Sequence, residues 1–162
     1  VEVNILVRDD LFIVNKIIIM PDYSVIVPVF NSSQSLKELY RQLSDTFAGI
    51  GKSYEVIFVD DASNDNSWSI LTKLQQENSE KVIAIRLAKN FGQHNATLCG
   101  IAAATSEYII TIDDDLQNPP AELIKLIQKM QETDADLVYG IYSRKHHSMV
   151  HNMGSAALKG SS

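Results

Sequence analysis

Along this chain, compact apolar runs alternate with stretches in which apolar residues return every three or four positions. The first run is Tyr23 to Val29, rich in β-branched residues, and Leu36, Leu39, Tyr40, Leu43 and Phe47 then recur at helical spacing. That order predicts a strand feeding a helix. Ser35 and Glu38 have the spacing of a capping box ahead of the helix, and Gly49 and Gly51 are placed to end it before the next run, Tyr54 to Val59. The alternation then continues. A helix with Trp68, Leu71 and Leu74 on one face precedes a strand at Lys81 to Leu87, and a helix of small residues from about Asn95 to Ala104 precedes a strand at Tyr108 to Asp113. Pro119-Pro120 opens a further helix carrying Leu123, Ile124, Ile127 and Met130, and a fifth strand is expected at about Leu137 to Ile141.

Strands that are apolar throughout are buried on both faces, and crossovers long enough to hold a helix are what parallel strands require. The expected architecture is therefore α/β, a three-layer α/β/α sandwich around a mostly parallel sheet. Residues 1–20 precede this pattern as an N-terminal extension, readable as an extra edge strand or the tail of a preceding region, and residues 21–162 form one domain. In such sheets ligands bind beyond the carboxyl ends of the strands, so the residues just after each strand carry the most information.

Composition narrows the class. The 162 residues suit a single core, with 45% apolar and 21% charged residues. The longest apolar runs fall short of the roughly 20 residues of a membrane-spanning helix. Cys99 is the single cysteine, which excludes a disulfide within the chain and a four-thiolate zinc site and fits a reducing compartment, the cytoplasm. A net charge of -6 argues against broad nucleic-acid binding, but all 20 acidic residues lie at or before Asp136. Beyond it stand Arg144, Lys145 and Lys159, with His146, His147 and His151, a segment suited to meet anionic phosphate.

The strand ends gather acids and amides. Pro28-Val29-Phe30-Asn31-Ser32-Ser33 follows the first strand, Asp60-Asp61-Ala62-Ser63-Asn64-Asp65-Asn66-Ser67 the second, and Asp113-Asp114-Asp115-Leu116-Gln117-Asn118-Pro119-Pro120 the fourth. Adjacent carboxylates repel, and a cleft that collects several of them usually holds a cation or binds donors. Asp113, Asp115 and Gln117 alternate, which in an extended segment puts three oxygen-bearing side chains on one side. Such hard donors suit Mg²⁺ or Mn²⁺, whose remaining positions are taken by water and substrate phosphates. Asp60 to Ser67 reads equally well as a turn and helix cap. Three aspartates in a row exceed what a cap or turn needs.

Other signals lead elsewhere. Gly51-Lys52-Ser53 copies the tail of a phosphate-binding loop, but Thr46 stands where that loop needs glycine. No G-x-G-x-x-G follows the first strand, which removes the main support for a dinucleotide oxidoreductase. His147 and His151 have the spacing of a helical metal pair without an acidic third ligand nearby, and solvated or phosphate-facing roles suit them better. Cys99, among small apolar residues, reads as a packing thiol.

Taken together, Val27-Pro28-Val29-Phe30-Asn31, Val59-Asp60-Asp61-Ala62-Ser63-Asn64-Asp65, Asn90-Phe91-Gly92-Gln93-His94-Asn95-Ala96 and Asp113 to Pro120 resemble family 2 glycosyltransferases of GT-A fold. The likeness spans about residues 22–144. Asn-Phe-Gly-Gln-His and Asp-Leu-Gln-Asn-Pro-Pro direct it to the branch that loads a sugar onto a polyprenyl phosphate, including dolichyl-phosphate mannose synthases, bactoprenol glucosyltransferases and undecaprenyl-phosphate aminoarabinose transferases. The resemblance implies an inverting, metal-dependent transferase that takes a sugar from a UDP- or GDP-sugar in cell-envelope polysaccharide or glycolipid synthesis. It implies a nucleotide-binding set of Pro28, Val29, Phe30, Asn31, Asp60, Asp61, Lys89 and Asp114, with Pro28, Phe30 and Asp60 lining the base and ribose pocket. Asp113, Asp115 and Gln117 match the family's D-x-D-x-Q and would hold the Mg²⁺ or Mn²⁺, and Asp113, Asp115 and Arg144 form the implied catalytic set. Arg144 and Lys145 would face phosphates. Where the branch places an arginine and, four residues later, a serine for the acceptor phosphate, this chain has His151 and Ser155. The resemblance also leads one to expect further catalytic-domain sequence, including an acceptor loop, and membrane segments that place the full-length protein at the cytoplasmic face of the membrane. The isolated 162 residues are accordingly expected to bind donor and transfer little sugar.

Three other readings compete with this one. One is a family 2 enzyme acting on a sugar hydroxyl acceptor. A haloacid-dehalogenase-like phosphatase also puts D-x-D at a strand end, but on its first strand and with Thr or Ser soon after, whereas Asp115 is followed by Leu116-Gln117 on the fourth. A noncatalytic receiver module needs its acidic pair after the first strand, and Asp60-Asp61 follows the second.

Overall fold

A computed structural model describes residues 20–133 and 135–140. The extension at residues 1–19 lies outside the described residues, as do Ile141, Arg144, Lys145, His151 and Ser155. Strands and helices alternate as β1 (Tyr23–Val29), α1 (Leu36–Ile50), β2 (Tyr54–Asp60), α2 (Ser67–Glu77), β3 (Val82–Arg86), α3 (Gln93–Ala103) and β4 (Tyr108–Thr111). A 3-10 turn at Pro120–Glu122 then leads into α4 (Leu123–Thr133). The four strands form one sheet in the order β3-β2-β1-β4, and every neighbouring pair is parallel. β1 and β2 pair from Tyr23 opposite Tyr54 to Val29 opposite Asp60, so their ends are level and the residues that follow emerge side by side.

Side-chain alternation divides the core between the two faces of the sheet. Tyr23, Val25, Val27 and Val29 of β1, with Val56 and Phe58 of β2, pack against Leu36, Leu39, Leu43 and Phe47 of α1, Leu71 of α2, and Leu123 and Ile127 of α4. Ile26, Ile57 and Val59 point the other way, onto Ala96 and half-buried Cys99 of α3. The result is the expected three-layer sandwich. α3 is made of small residues because it lies close to the sheet: a Cβ at Gly100 would stand 2.4 Å from Ile26 Cγ2 and 3.2 Å from Val59 Cγ2.

Two expectations are corrected. Ser35 is the N-cap of α1 but makes no side-chain capping bond. Its hydroxyl donates to the carbonyls of Ser32 and Asp114, while Glu38 accepts from Arg41 and Gln42. The serine is used to tie the β1–α1 loop to the segment after β4. Residues 137–140, expected in a fifth strand, form no ladder with the described sheet. Leu137 is 76% and Tyr139 72% exposed, and the segment lies across a cleft of about 790 Å³ from Ile109 and Ile110 of β4 instead of hydrogen-bonding to them. A strand exists through its partners, and an apolar run without one stays irregular.

Candidate functional site

Because the strands are parallel, the loops after β1, β2 and β4 meet at one edge, and hydrogen bonds lace them together. From the first two loops, Asn31 N–H donates to Ser63 Oγ at 2.9 Å, Asn64 N–H to Asn31 Oδ1 at 2.8 Å, Ser32 N–H to Ser67 Oγ at 2.9 Å and Ser33 N–H to Asp65 Oδ2 at 3.0 Å. This is why the stretch from Asp60 to Ser67 is so rich in short polar residues: their side chains satisfy the backbone of a neighbouring loop as well as their own. Asn31, Ala62 and Leu116, all in these loops, have φ of 55°, 58° and 60°. They are the non-glycine residues in the left-handed region among those described, a conformation that costs about 1–2 kcal/mol for an ordinary L-residue. Strain of this kind gathers where surrounding structure fixes a functional loop.

The three consecutive aspartates divide by orientation. Asp114 turns inward, where its Oδ2 accepts the Phe30 N–H at 3.2 Å and its carbonyl accepts the Ser35 hydroxyl. Burial pushes its carboxyl above the usual carboxylate range, against the opposing pull of hydrogen bonds from Ser32 and Phe30. Asp113 and Asp115 are exposed. Asp113 Oδ1 accepts Gln93 Nε2 at 2.7 Å, and Asp115 Oδ1 accepts the Gln117 N–H at 3.0 Å, in the turn where Leu116 is left-handed. The Gln117 side chain is exposed as well.

Asp60 and Asp61 lie deeper than their sequence position suggested. Asp60 is fully buried: Oδ1 accepts the Ser63 N–H at 3.2 Å, and Oδ2 stands 3.2 Å from Arg86 Nε without the alignment of a hydrogen bond. Arg86 also lies over the Trp68 ring, 5.5 Å from its centroid. The expected contact between Asp60 and a ligand finds no exposed surface here: one carboxylate oxygen accepts within the loop and the other is buried beside Arg86. Asp61, 1% exposed, accepts the N–H groups of Phe91 and Gly92 at 2.7 and 2.8 Å. Gly92 has φ 89°, which admits glycine readily, and it precedes the first residue of α3.

Among the other sequence candidates, Pro28 and Val29 are buried at the end of β1, while Phe30 (44% exposed) and Asn31 face solvent. Lys89 is exposed, with Nζ 5.1 Å from the Phe91 ring centroid. Sequence reasoning assigned no role to Gln93 or Arg86. The signal for Gln93 was its place at the start of a helix whose crossover returns to β4; for Arg86 it was a cation ending the strand next to a buried aspartate.

No three His, Cys, Asp or Glu residues among those described converge on a common point. Two exposed carboxylates, each with Oδ2 outside the hydrogen bonds above, and the exposed Gln117 carboxamide two residues after Asp115 are nonetheless the hard donors that Mg²⁺ or Mn²⁺ takes. They fit an ion that completes its shell with water and substrate phosphates, which is the usual habit of Mg²⁺.

The fold is that of the GT-A nucleotide-diphosphosugar transferases. Residues 24–154 match the family model described as glycosyl transferase family 2, and the chain belongs to that family. Solved structures of similar fold include S. aureus TarS residues 1–349 (26% identity, TM-score 0.58, 71% of this chain and 34% of that one). Another is the same protein in complex with UDP-GlcNAc (25% identity, TM-score 0.55, 71% and 32%). The mannosyltransferase PcManGT from Pyrobaculum calidifontis, in complex with GDP-Man and Mn²⁺, shares the fold at 22% identity (TM-score 0.59, 70% and 33%). The match covers about a third of each of these chains, and 20% of the longer TarS chain. No helix among the described residues is long and apolar enough to cross a membrane.

Proposed function

We propose that this chain carries the donor-binding part of an inverting glycosyltransferase that moves a sugar from a UDP- or GDP-sugar to a polyprenyl phosphate at the cytoplasmic face of the membrane. The observation that supports it most is the division of the aspartate run: Asp114 anchors the loop after β1, and Asp113 and Asp115 are left exposed beside that loop. Phe30 and Asn31 then offer an exposed ring and amide for the base and ribose, over the buried end of β1 at Pro28 and Val29. Asp60 and Asp61 support these surfaces from beneath. Asp113, Asp115 and Gln117 would hold a Mg²⁺ or Mn²⁺, which stabilises the charge that gathers on the leaving diphosphate.

Lys89, with Arg144 and Lys145 from the basic segment, is assigned to the donor phosphates, and His151 and Ser155 with Arg144 and Lys145 to the acceptor phosphate. An acceptor phosphate oxygen is already anionic near neutral pH, so its attack on the anomeric carbon needs less help from a general base than a hydroxyl would. The structure of PcManGT with GDP-Man and Mn²⁺ and that of TarS with UDP-GlcNAc support a nucleotide-sugar donor and a divalent ion. A thermal-shift panel of UDP, GDP and ADP, each with and without Mn²⁺, tests the reading. Stabilisation by UDP or GDP that grows with Mn²⁺ is expected, whereas a response to acyl-phosphate mimics or hydrolysis of small phosphomonoesters would contradict it.

A further inference from the structure

Asp113 is exposed, yet its orientation is set from a distance. Gln93 Nε2 donates to Asp113 Oδ1 at 2.7 Å, across the cleft that both residues line with Pro28. Surface glutamines usually sample several rotamers, but the backbone of Gln93 is fixed twice. It is the first residue of α3, whose Gly100 is seated against Ile26 and Val59 of the sheet. The turn before it is held by the buried Asp61 carboxylate on the Phe91 and Gly92 amides. An ion shared by two carboxylates and a substrate diphosphate needs those carboxylates aimed before it arrives, and partners behind a ligand commonly supply that aim.

We infer that Asp61 and Gln93 form a positioning relay, in which Asp61 fixes the Asn90–Gln93 turn and Gln93 holds the Asp113 carboxylate in its metal-binding orientation. The inference rests on the transferase reading and assigns to Asp61 a role other than nucleotide contact. The relay crosses the sheet from the end of β2 to the end of β4, by way of α3.

The test is Mn²⁺ titration in the presence of UDP or GDP, followed by electron paramagnetic resonance, alongside calorimetry of the same nucleotide in EDTA. Gln93→Leu, at an exposed position where folding is not at stake, should weaken Mn²⁺ affinity roughly 10- to 100-fold, the range for lost partners behind a metal ligand. It should leave nucleotide binding in EDTA within about twofold, the split that separates positioning from general damage to the site. Asp61→Asn should weaken Mn²⁺ binding in the same way, and Asp61→Asn with Gln93→Leu should be little worse than the more severe single variant, since both act through one bond. Asp113→Ala is the control. If it abolishes tight Mn²⁺ binding while Gln93→Leu leaves affinity and spectrum unchanged, the relay is wrong and the metal site stands. If Asp113→Ala and Asp115→Ala also bind Mn²⁺ as the unaltered protein does, the metal site is wrong and the relay falls with it.

Discussion

The carboxylate of Asp114 accepts the backbone N–H of Phe30 at 3.2 Å, joining the end of β4 to the loop that follows β1. The middle aspartate of the run thus builds the wall against which its neighbours are displayed. Asp114→Ala should cost about 1 kcal/mol, the usual net value of one hydrogen bond. It should also weaken nucleotide binding by loosening Phe30. Denaturant unfolding and calorimetry of UDP and GDP would measure the two effects, and a stability loss with unchanged binding would separate Phe30 from the nucleotide.

Gly100 is expected to tolerate no side chain. A Cβ 2.4 Å from Ile26 Cγ2 must displace α3 or the sheet, and Gly100→Ala should destabilise by about 1–3 kcal/mol. Ile26→Ala removes the obstructing group, so the double variant should cost less than the sum of the two single ones in urea unfolding. Additive costs would mean that the strain lies elsewhere.

Arg86, 45% exposed, stands beside a carboxylate with no exposure at all, that of Asp60. Arg86→Met keeps an apolar stem over Trp68 but leaves the buried charge without its cation, a loss of about 1–3 kcal/mol once solvent screening of the arginine is allowed for. Adding Asp60→Asn should recover part of that loss. Unfolding curves that show no recovery would indicate that the arginine acts through Trp68 rather than through charge.

Acid should loosen the loops before it unfolds the core. Desolvation pushes the Asp65 carboxyl up, but hydrogen bonds from Ser67 and Ser33 outweigh it and lower the pKa from 3.8 to about 2. A carboxyl with a depressed folded-state pKa contributes stability above its unfolded value and loses it as pH falls through its folded value, here from 3.8 to about 2. In Asp65→Asn the melting temperature should fall less steeply across that window than in the unaltered protein. Parallel curves would show that the carboxylate adds nothing to the joint between the loops.

The strands and helices were legible because parallel strands buried on both faces, such as Tyr23–Val29 and Tyr54–Asp60, write themselves as apolar runs. Leu137 to Gly140 reads the same way and forms no ladder, since periodicity records burial potential and not the presence of a partner. In the site, alternation grouped Asp113, Asp115 and Gln117 on one side of an extended segment; all three are exposed, but the segment is a turn with Leu116 left-handed, and the burial of Asp60 and Asp61 was not foreseen. Asp60 ends β2, an interior strand of the sheet, and Asp61 follows it, and whether such a carboxylate faces a ligand or a loop amide depends on long-range contacts: Asp61 reaches Phe91 and Gly92, about 30 residues on. The Ser35–Glu38 pair looked like a capping box for a similar reason, because its spacing is local and one of the serine's two carbonyl partners, that of Asp114, is 79 residues away.

Calorimetric titration of UDP and GDP into the unaltered protein, Asp113→Ala and Asp115→Ala, each with Mn²⁺ and with EDTA, addresses the donor site most directly. Binding of one nucleotide should be strengthened by Mn²⁺ in the unaltered protein, and removing either carboxylate should erase most of that gain while leaving the weaker binding in EDTA intact. Equal Mn²⁺-dependent binding in all three proteins, or no nucleotide binding under any condition, would contradict a metal-assisted nucleotide-sugar site at the ends of β1 and β4.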